Sequence, residues 1–166
     1  MSVPESNVSN RSGSREPKRT LDRAQCDFWT REKLRNADTD QFRHINNAAI
    51  ATLFEAARME MLDGDSLKGS MAGRNVVVAH LAIDFLKELS FPGNVEIGSA
   101  TLETGRTSFQ LVQGLFIGPD CFALAHVTCV LLDTDGRLPV VIPEPVRNHL
   151  LHGRSGERAS SFRADL

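Results

Sequence analysis

Residues 35–58, RNADTDQFRHINNAAIATLFEAAR, decide the fold, because a knot of polar groups there runs straight into an amphipathic helix. Asp38, Asp40, His44, Asn46 and Asn47 fall within ten residues, and Ile50, Leu53, Phe54, Ala57 and Met61 then recur at helical spacing. The periodicity predicts a helix over residues 47–62, with an Asn as N-cap and Gly64 just past the end. A carboxylate is thereby set beside a helix N-terminus, whose unpaired N–H groups and positive dipole end suit a developing oxyanion. The pattern is that of an acyl-transfer or hydrolysis site.

Upstream, residues 26–34 alternate: Cys26, Phe28, Thr30, Glu32 and Leu34 share one face, and Asp27, Trp29, Arg31 and Lys33 the other. This predicts a half-buried first strand. Downstream of the helix, DGDSLKGSMAGR reads as a flexible loop. Four strands are expected after it, over residues 75–86, 94–103, 108–117 and 121–133, divided by Pro92-Gly93, Gly105, Gly118-Pro119 and Asp135-Gly136. One helix followed by four strands predicts an α+β fold in which an antiparallel meander wraps the helix. Pro143 presets a short closing helix over PEPVRNHLL.

Residues 1–22 are rich in Ser, Asn, Arg and Pro without apolar period and read as a disordered arm, and residues 153–166 read as a similar tail. A single domain over residues 23–152 remains between them. Hydrophobic residues make up 41% of the chain, enough for a core, and the formal net charge of −2 argues against a broad nucleic-acid surface. No run is apolar and long enough for a membrane span or a secretory signal, so a cytoplasmic location is expected. Cys26, Cys121 and Cys129 lack C-x-x-C spacing and read as small buried residues, giving neither a disulfide framework nor a zinc site.

The polar knot also resembles a known family. Asp38, Asp40, His44, Ile45, Asn46 and Asn47, followed by Glu55 and Arg58, are similar to the D-x-D-x-x-x-H-[VI]-N-N pattern of acyl-CoA thioesterases of the 4-hydroxybenzoyl-CoA thioesterase type. Extended loosely over residues 26–151, the resemblance implies the hotdog fold, an antiparallel sheet wrapped around one long central helix. It also implies an acyl-CoA or acyl carrier thioester as substrate and no cofactor or metal. Because one helix leaves sheet edges uncovered, and this fold answers by dimerising, a homodimer or homotetramer with an acyl tunnel at the subunit boundary is expected.

The resemblance carries Asp40 over as the catalytic carboxylate, acting as general base or as nucleophile. Read by itself, Asp40 also suits an Asx turn before the helix. Asn47 is carried over as an oxyanion donor through its main-chain N–H, while Asn46 caps the helix or touches substrate. His44 can orient Asp40, hold the substrate carbonyl or brace the loop; Asp38 reads as solvated or loop-fixing. Glu55 and Arg58, at i and i+3, suit a surface ion pair. Arg43 stands where the family commonly has Gly, so a positive φ there would require a reshaped loop, and its guanidinium could instead meet a CoA phosphate. Ile50 and Leu53 replace the family's usual aromatics. Arg106 and Ser108, at a turn before a strand, are candidates for the CoA channel or belong to a plain hairpin.

A calcium-type reading of Asp38, Asp40 and His44 lacks the Gly and terminal Glu it needs. Neither a GxxxxGK loop nor a G-x-S-x-G elbow is present. The rivals to a thioesterase are a non-catalytic hotdog module binding an acyl thioester or protein partner and, less well matched, an acyl thioester dehydratase.

Overall fold

The computed structural model describes residues 21–152. The expected arm and tail therefore fall outside the described residues, except for Leu21 and Asp22. Those two are packed: Leu21 is buried, and Asp22 caps a turn of 3-10 helix at Arg23–Gln25. Both lie within the span that the sequence reads as the arm.

The elements run β1 (Phe28–Lys33), α1 (Asn47–Leu62), α2 (Lys68–Met71), β2 (Arg74–Phe85), β3 (Asn94–Thr104), β4 (Ser108–Ile117), β5 (Asp120–Asp133) and α3 (Glu144–His152). Helix α1 matches the expected span to the residue. Its apolar stripe, Ile50, Leu53, Phe54, Ala57 and Met61, is buried against the sheet. Phe54 and Leu111 have no exposed surface, and burying such side chains contributes roughly 1.5–3 kcal/mol each. The expected flexible loop contains the one-turn α2, anchored by buried Leu67 just before it. Pro143 sits immediately before α3, its carbonyl accepting from the Arg147 N–H.

All five strands form one antiparallel sheet in the order β1-β3-β4-β5-β2. This corrects the expected meander, since only β3, β4 and β5 follow one another as neighbours. β2 pairs with β5 instead of β3. Residues 86–93, between β2 and β3, are too many for a tight hairpin. They carry the chain back across the sheet and spend backbone bonds on the way: Ile45 N–H donates to Leu89 O, and His44 bridges Ser90. The crossing brings this connection against the Asp40 loop.

The concave face holds the main core under α1, with α3 closing one flank: Ile142, Val146 and Leu150 join that core, and His149 Nε2 lies 2.8 Å from Met61 O. The convex face carries a second cluster, Leu21, Ala100, Val112, Phe116 and Leu124, flanked by Cys26 and Cys121. Arg23 lies over the Trp29 ring at 4.2 Å and pairs with Glu96 at 2.8 Å. Gly98 is required here, because a Cβ would stand 2.6 Å from Cys26 Sγ. The β2 edge is less covered: Val77, Val78, Leu81 and Phe85 remain exposed.

Candidate active site

A 3-10 turn at Asn36–Asp38 starts the site. Asp38 is buried, and both its oxygens accept from Arg35: Oδ1 from Nη2 at 2.7 Å, Oδ2 from the backbone N–H at 3.0 Å and Nε at 3.1 Å. That pairing holds its carboxyl below the usual range. Asp38 O then accepts the Asn46 N–H at 2.8 Å, tying the turn to the start of α1. Of its two sequence-stated options, loop fixing describes Asp38; it is not a solvated carboxylate.

Asp40 opens a second turn. Its Oδ1 accepts the backbone N–H groups of Phe42 (2.8 Å) and His44 (3.1 Å), and its own N–H donates to His44 O at 2.8 Å. The Asx turn is thus real, and it uses only one carboxylate oxygen. Oδ2 accepts no hydrogen bond among the described residues. Arg43 takes φ 66°, so the left-handed conformation persists without glycine. This overturns the expectation of a reshaped loop: the bonds around Asp40 impose the turn, and a strain of about 1–2 kcal/mol is absorbed there.

Asn46 Oδ1 caps α1 by accepting the Ala48 N–H at 2.8 Å. The Asn47 N–H has no partner among the described residues, as the first helical turn leaves it. Asp40, His44, Ile45, Asn47 and Ile50 form one wall of a cleft of about 330 Å³, and Phe85, Leu86, Lys87, Glu88 and Leu89 form the other. Three expected residues, Asp40, His44 and Asn47, therefore meet in one cavity. Asp40, with one carboxylate oxygen accepting no hydrogen bond, and Asn47, with an unpartnered main-chain N–H, both line this cleft, and groups of these two kinds can activate water or attack a carbonyl while holding its oxygen.

His44 is half-buried, and its ring does not engage the Asp40 side chain. Its Nε2 instead faces Glu88 Oε2 at 3.7 Å. Glu88 and Lys87 escaped sequence reasoning because they lie in the β2–β3 connection, far from the motif; only the backbone pairing of residues 44–45 with 89–90 places them here.

Arg106 and Ser108 are not part of this cleft. Ser108 pairs with Val130 and Val130 with Val77, whereas Phe85 lines the cleft eight residues further along β2, about 26 Å away at strand rise. Within one chain they form a hairpin, Gly105 N–H donating to Ser108 O, and Arg147 donates to the Thr104 and Gly105 carbonyls. The Glu55–Arg58 surface pair is also corrected. Arg58 is 5% exposed and donates from Nη1 to Gln113 Oε1 at 2.8 Å, while Gln113 Nε2 donates to Ser99 Oγ and Phe54 O. Burial pulls the guanidinium below its usual value.

No thiol is poised as a nucleophile: Cys129 is buried, Cys26 and Cys121 are half-buried, and burial raises all three, Cys26 to about 12. Among the described residues no group of three or more His, Cys, Asp or Glu could hold a metal ion. No helix among them is long and apolar enough to cross a membrane.

Residues 34–150 match the sequence profile of the thioesterase-like superfamily. No curated protein matches the chain in sequence. Among solved structures, the PA5185 protein of Pseudomonas aeruginosa superposes with a TM-score of 0.72 at 23% identity, covering 81% of this chain and 97% of its own. The probable thioesterase YbaW of Escherichia coli gives 0.66 at 24% identity, with 74% and 96% covered. A thioesterase of Thermus thermophilus, complexed with coenzyme A and Zn, gives 0.65 at 24% identity, with 76% and 93% covered. At these identities the likeness establishes the fold, the hotdog arrangement of sheet and helix.

Proposed function

The chain belongs to the thioesterase-like superfamily, and on that premise we propose that it is an acyl-CoA thioesterase, hydrolysing a thioester to a free acid and CoA. One observation carries the reading: Asp40 lines the cleft with one oxygen anchored by two backbone amides and the other accepting no hydrogen bond among the described residues. Anchoring fixes the carboxylate without consuming it. Asp40 Oδ2 serves as general base toward water or as nucleophile toward the carbonyl carbon. The Asn47 N–H receives the carbonyl oxygen as it gains charge, a contribution of about 2.7–4 kcal/mol in comparable sites.

The assembly we propose is a homodimer, alone or paired into a tetramer, formed across the β2 edge. That edge exposes Val77, Val78, Leu81 and Phe85, and an open apolar edge invites pairing. A two-fold axis crossing β2 would run the second copy's β2 antiparallel, setting its Gly105–Ser108 turn toward the end where this chain's Asp40 lies. Arg106 and Ser108 would then serve the neighbour's substrate and Arg43 the same chain's, each toward the phosphate-bearing carrier.

The test is thiol release from a panel of acyl-CoAs by the wild type and by Asp40→Asn. Asparagine keeps Oδ1 as the acceptor for Phe42 and His44, so the turn survives and only the reactive oxygen is lost. The rate should fall by about 10² to 10⁴ with unchanged circular dichroism. A variant as fast as wild type would move the chemistry elsewhere. Tight acyl-CoA binding without turnover by the wild type would instead favour a non-catalytic binding module.

A further inference from the structure

Phe85 stands on the core-facing side of the sheet, and yet the core does not cover it. The register sets it opposite Ala123, which is fully buried on the concave face. Ile83, two residues earlier on the same face, packs against the main core, whereas Phe85 remains 46% exposed. The strand order supplies the reason: α1 lies across β1 and β3, and β2 is the opposite edge of the sheet. What Phe85 does border is the cleft that Asp40 and Asn47 share. The floor of that cleft is shut, since Ile45, Ile50 and Leu89 are each at most 4% exposed and belong to the main core. A bound group therefore cannot run inward between helix and sheet; it lies along this apolar floor toward Phe85.

We propose that Phe85 is a specificity-determining residue that closes the acyl end of the cleft, and that the acyl group it selects is neutral, apolar and of medium length; this rests on the thioesterase reading above. Length follows from volume. A cleft of about 330 Å³ holds about eleven non-hydrogen atoms at roughly 30 Å³ for each water-sized group. The thioester oxygen and sulfur and the first carbons of the thiol arm claim about four of these, which leaves about six to eight carbons for the acyl group by the same packing. Neutrality follows from the charges. Asp40 and Glu88 line the cleft, and Lys87 is held by Asp120 at 2.9 Å, so a second carboxylate on the acyl group would meet like charge. An apolar floor with a few polar groups at one end suits a ligand that is reactive at one end and greasy at the other. The exposed ring of Phe85 is then surface that the acyl group covers on binding.

The experiment measures kcat/KM on acetyl-, butyryl-, hexanoyl-, octanoyl-, decanoyl- and lauroyl-CoA, and on succinyl-CoA, for wild type, Phe85→Ala, Phe85→Leu and Asp40→Asn, with light scattering on each protein. In the wild type kcat/KM should climb about fourfold per methylene, the fold-change of about 0.8 kcal/mol per buried CH₂, as far as hexanoyl- or octanoyl-CoA and no further. Succinyl-CoA should react about tenfold or more slowly than butyryl-CoA, which has the same number of carbons and no second carboxylate. Phe85→Ala should lower the octanoyl-to-acetyl ratio about tenfold, as roughly two methylenes lose their cover, and should move the optimum to decanoyl- or lauroyl-CoA. Phe85→Leu should keep most of the wild-type ratio. A merely structural loss slows every ester alike; an unchanged ratio and optimum in Phe85→Ala would overturn the proposal. So would succinyl-CoA turned over as fast as butyryl-CoA. A Phe85→Ala protein that loses the wild-type assembly would overturn it too, by giving the ring to the contact between copies. Asp40→Asn must fail at every chain length; full activity there would overturn the thioesterase reading itself.

Discussion

Two turns of the same helix, its first and its fourth, both carry polar groups that the sequence presents in similar terms, and they do opposite things. At the first turn the Asn47 amide is unpartnered, Asp40 keeps one oxygen idle, and both border an open cleft. At the fourth, Arg58 is sealed under the sheet, its charge met by Gln113, which in turn bonds Ser99 and the Phe54 carbonyl. Unused hydrogen-bonding capacity at a cleft is capacity for a substrate; the same capacity spent in a core fixes how the helix lies on the sheet. The difference lies in what remains unsatisfied, which a string of residue types does not record.

The largest effect that can break this contrast comes from Gln113→Leu. The substitution is close in volume but strands a buried guanidinium and leaves Ser99 Oγ and Phe54 O without their donor. A loss of about 3 kcal/mol in unfolding free energy is expected, the upper range for an unsatisfied buried group. Urea unfolding measures it. Turnover per folded molecule should stay near wild type, because nothing in the Arg58 network reaches the cleft. A variant that keeps its stability but loses its rate would place Arg58 in the chemistry.

Much of the first turn was legible because its causes are local. Asn46 as cap, the 3.6-residue stripe and the motif spacing act within a few residues, and α1 came out with the expected ends. Strand limits fell within a residue or two, since Pro-Gly, Gly-Pro and Asp-Gly turns are local as well. The strand order was not legible, because whether β2 meets β3 or β5 depends on an eight-residue crossing whose partners are distant in sequence. Glu88 was hidden for the same reason. Arg58 could have been found: it sits four residues after Phe54 and three before Met61, on the buried stripe, where a charge needs an interior partner. Spacing alone pairs it with Glu55; the face it occupies turns it to the interior.

A smaller effect, which sharpens the contrast from the other side, concerns Asp38. It is a buried polar group like Gln113, but it holds the reactive turn, with Arg35 on its carboxylate and Asn46 N–H on its carbonyl. Its folded pKa is depressed. The stabilisation is therefore complete above the unfolded value, about 3.9, and is lost as pH falls through the lower folded value. Stability should decline below about pH 4, and Asp38→Asn should flatten that part of the curve while lowering stability at neutral pH by less than Gln113→Leu does. Thermal melts across pH 3–7 check the sign. Unlike Gln113→Leu, this variant should also slow turnover, since it loosens the frame of Asp40; an unchanged rate would show that the Asx turn holds itself.

The smallest effect is expected at Arg43, where strain and exposure coincide. Its φ of 66° is a conformation glycine adopts without cost, and the side chain is exposed, with no hydrogen bond or ion pair among the described residues to lose. Arg43→Gly removes a left-handed penalty of about 1–2 kcal/mol, offset by the roughly 0.4–1 kcal/mol of chain entropy that glycine adds to the unfolded state. A net gain near 0.5 kcal/mol should follow, visible as a rise in Tm. If the guanidinium serves the phosphate-bearing carrier, the same variant should raise KM for acyl-CoA while leaving kcat in place, because the contact lies remote from the reacting carbon and acts equally in ground and transition states. More stability with weaker binding would make Arg43 the counterpart of Arg58: one arginine retained at the cleft against the fold's preference, the other retained in the core for the fold. A rise in Tm with KM unmoved would remove Arg43 from the binding surface and leave its strained turn without a role.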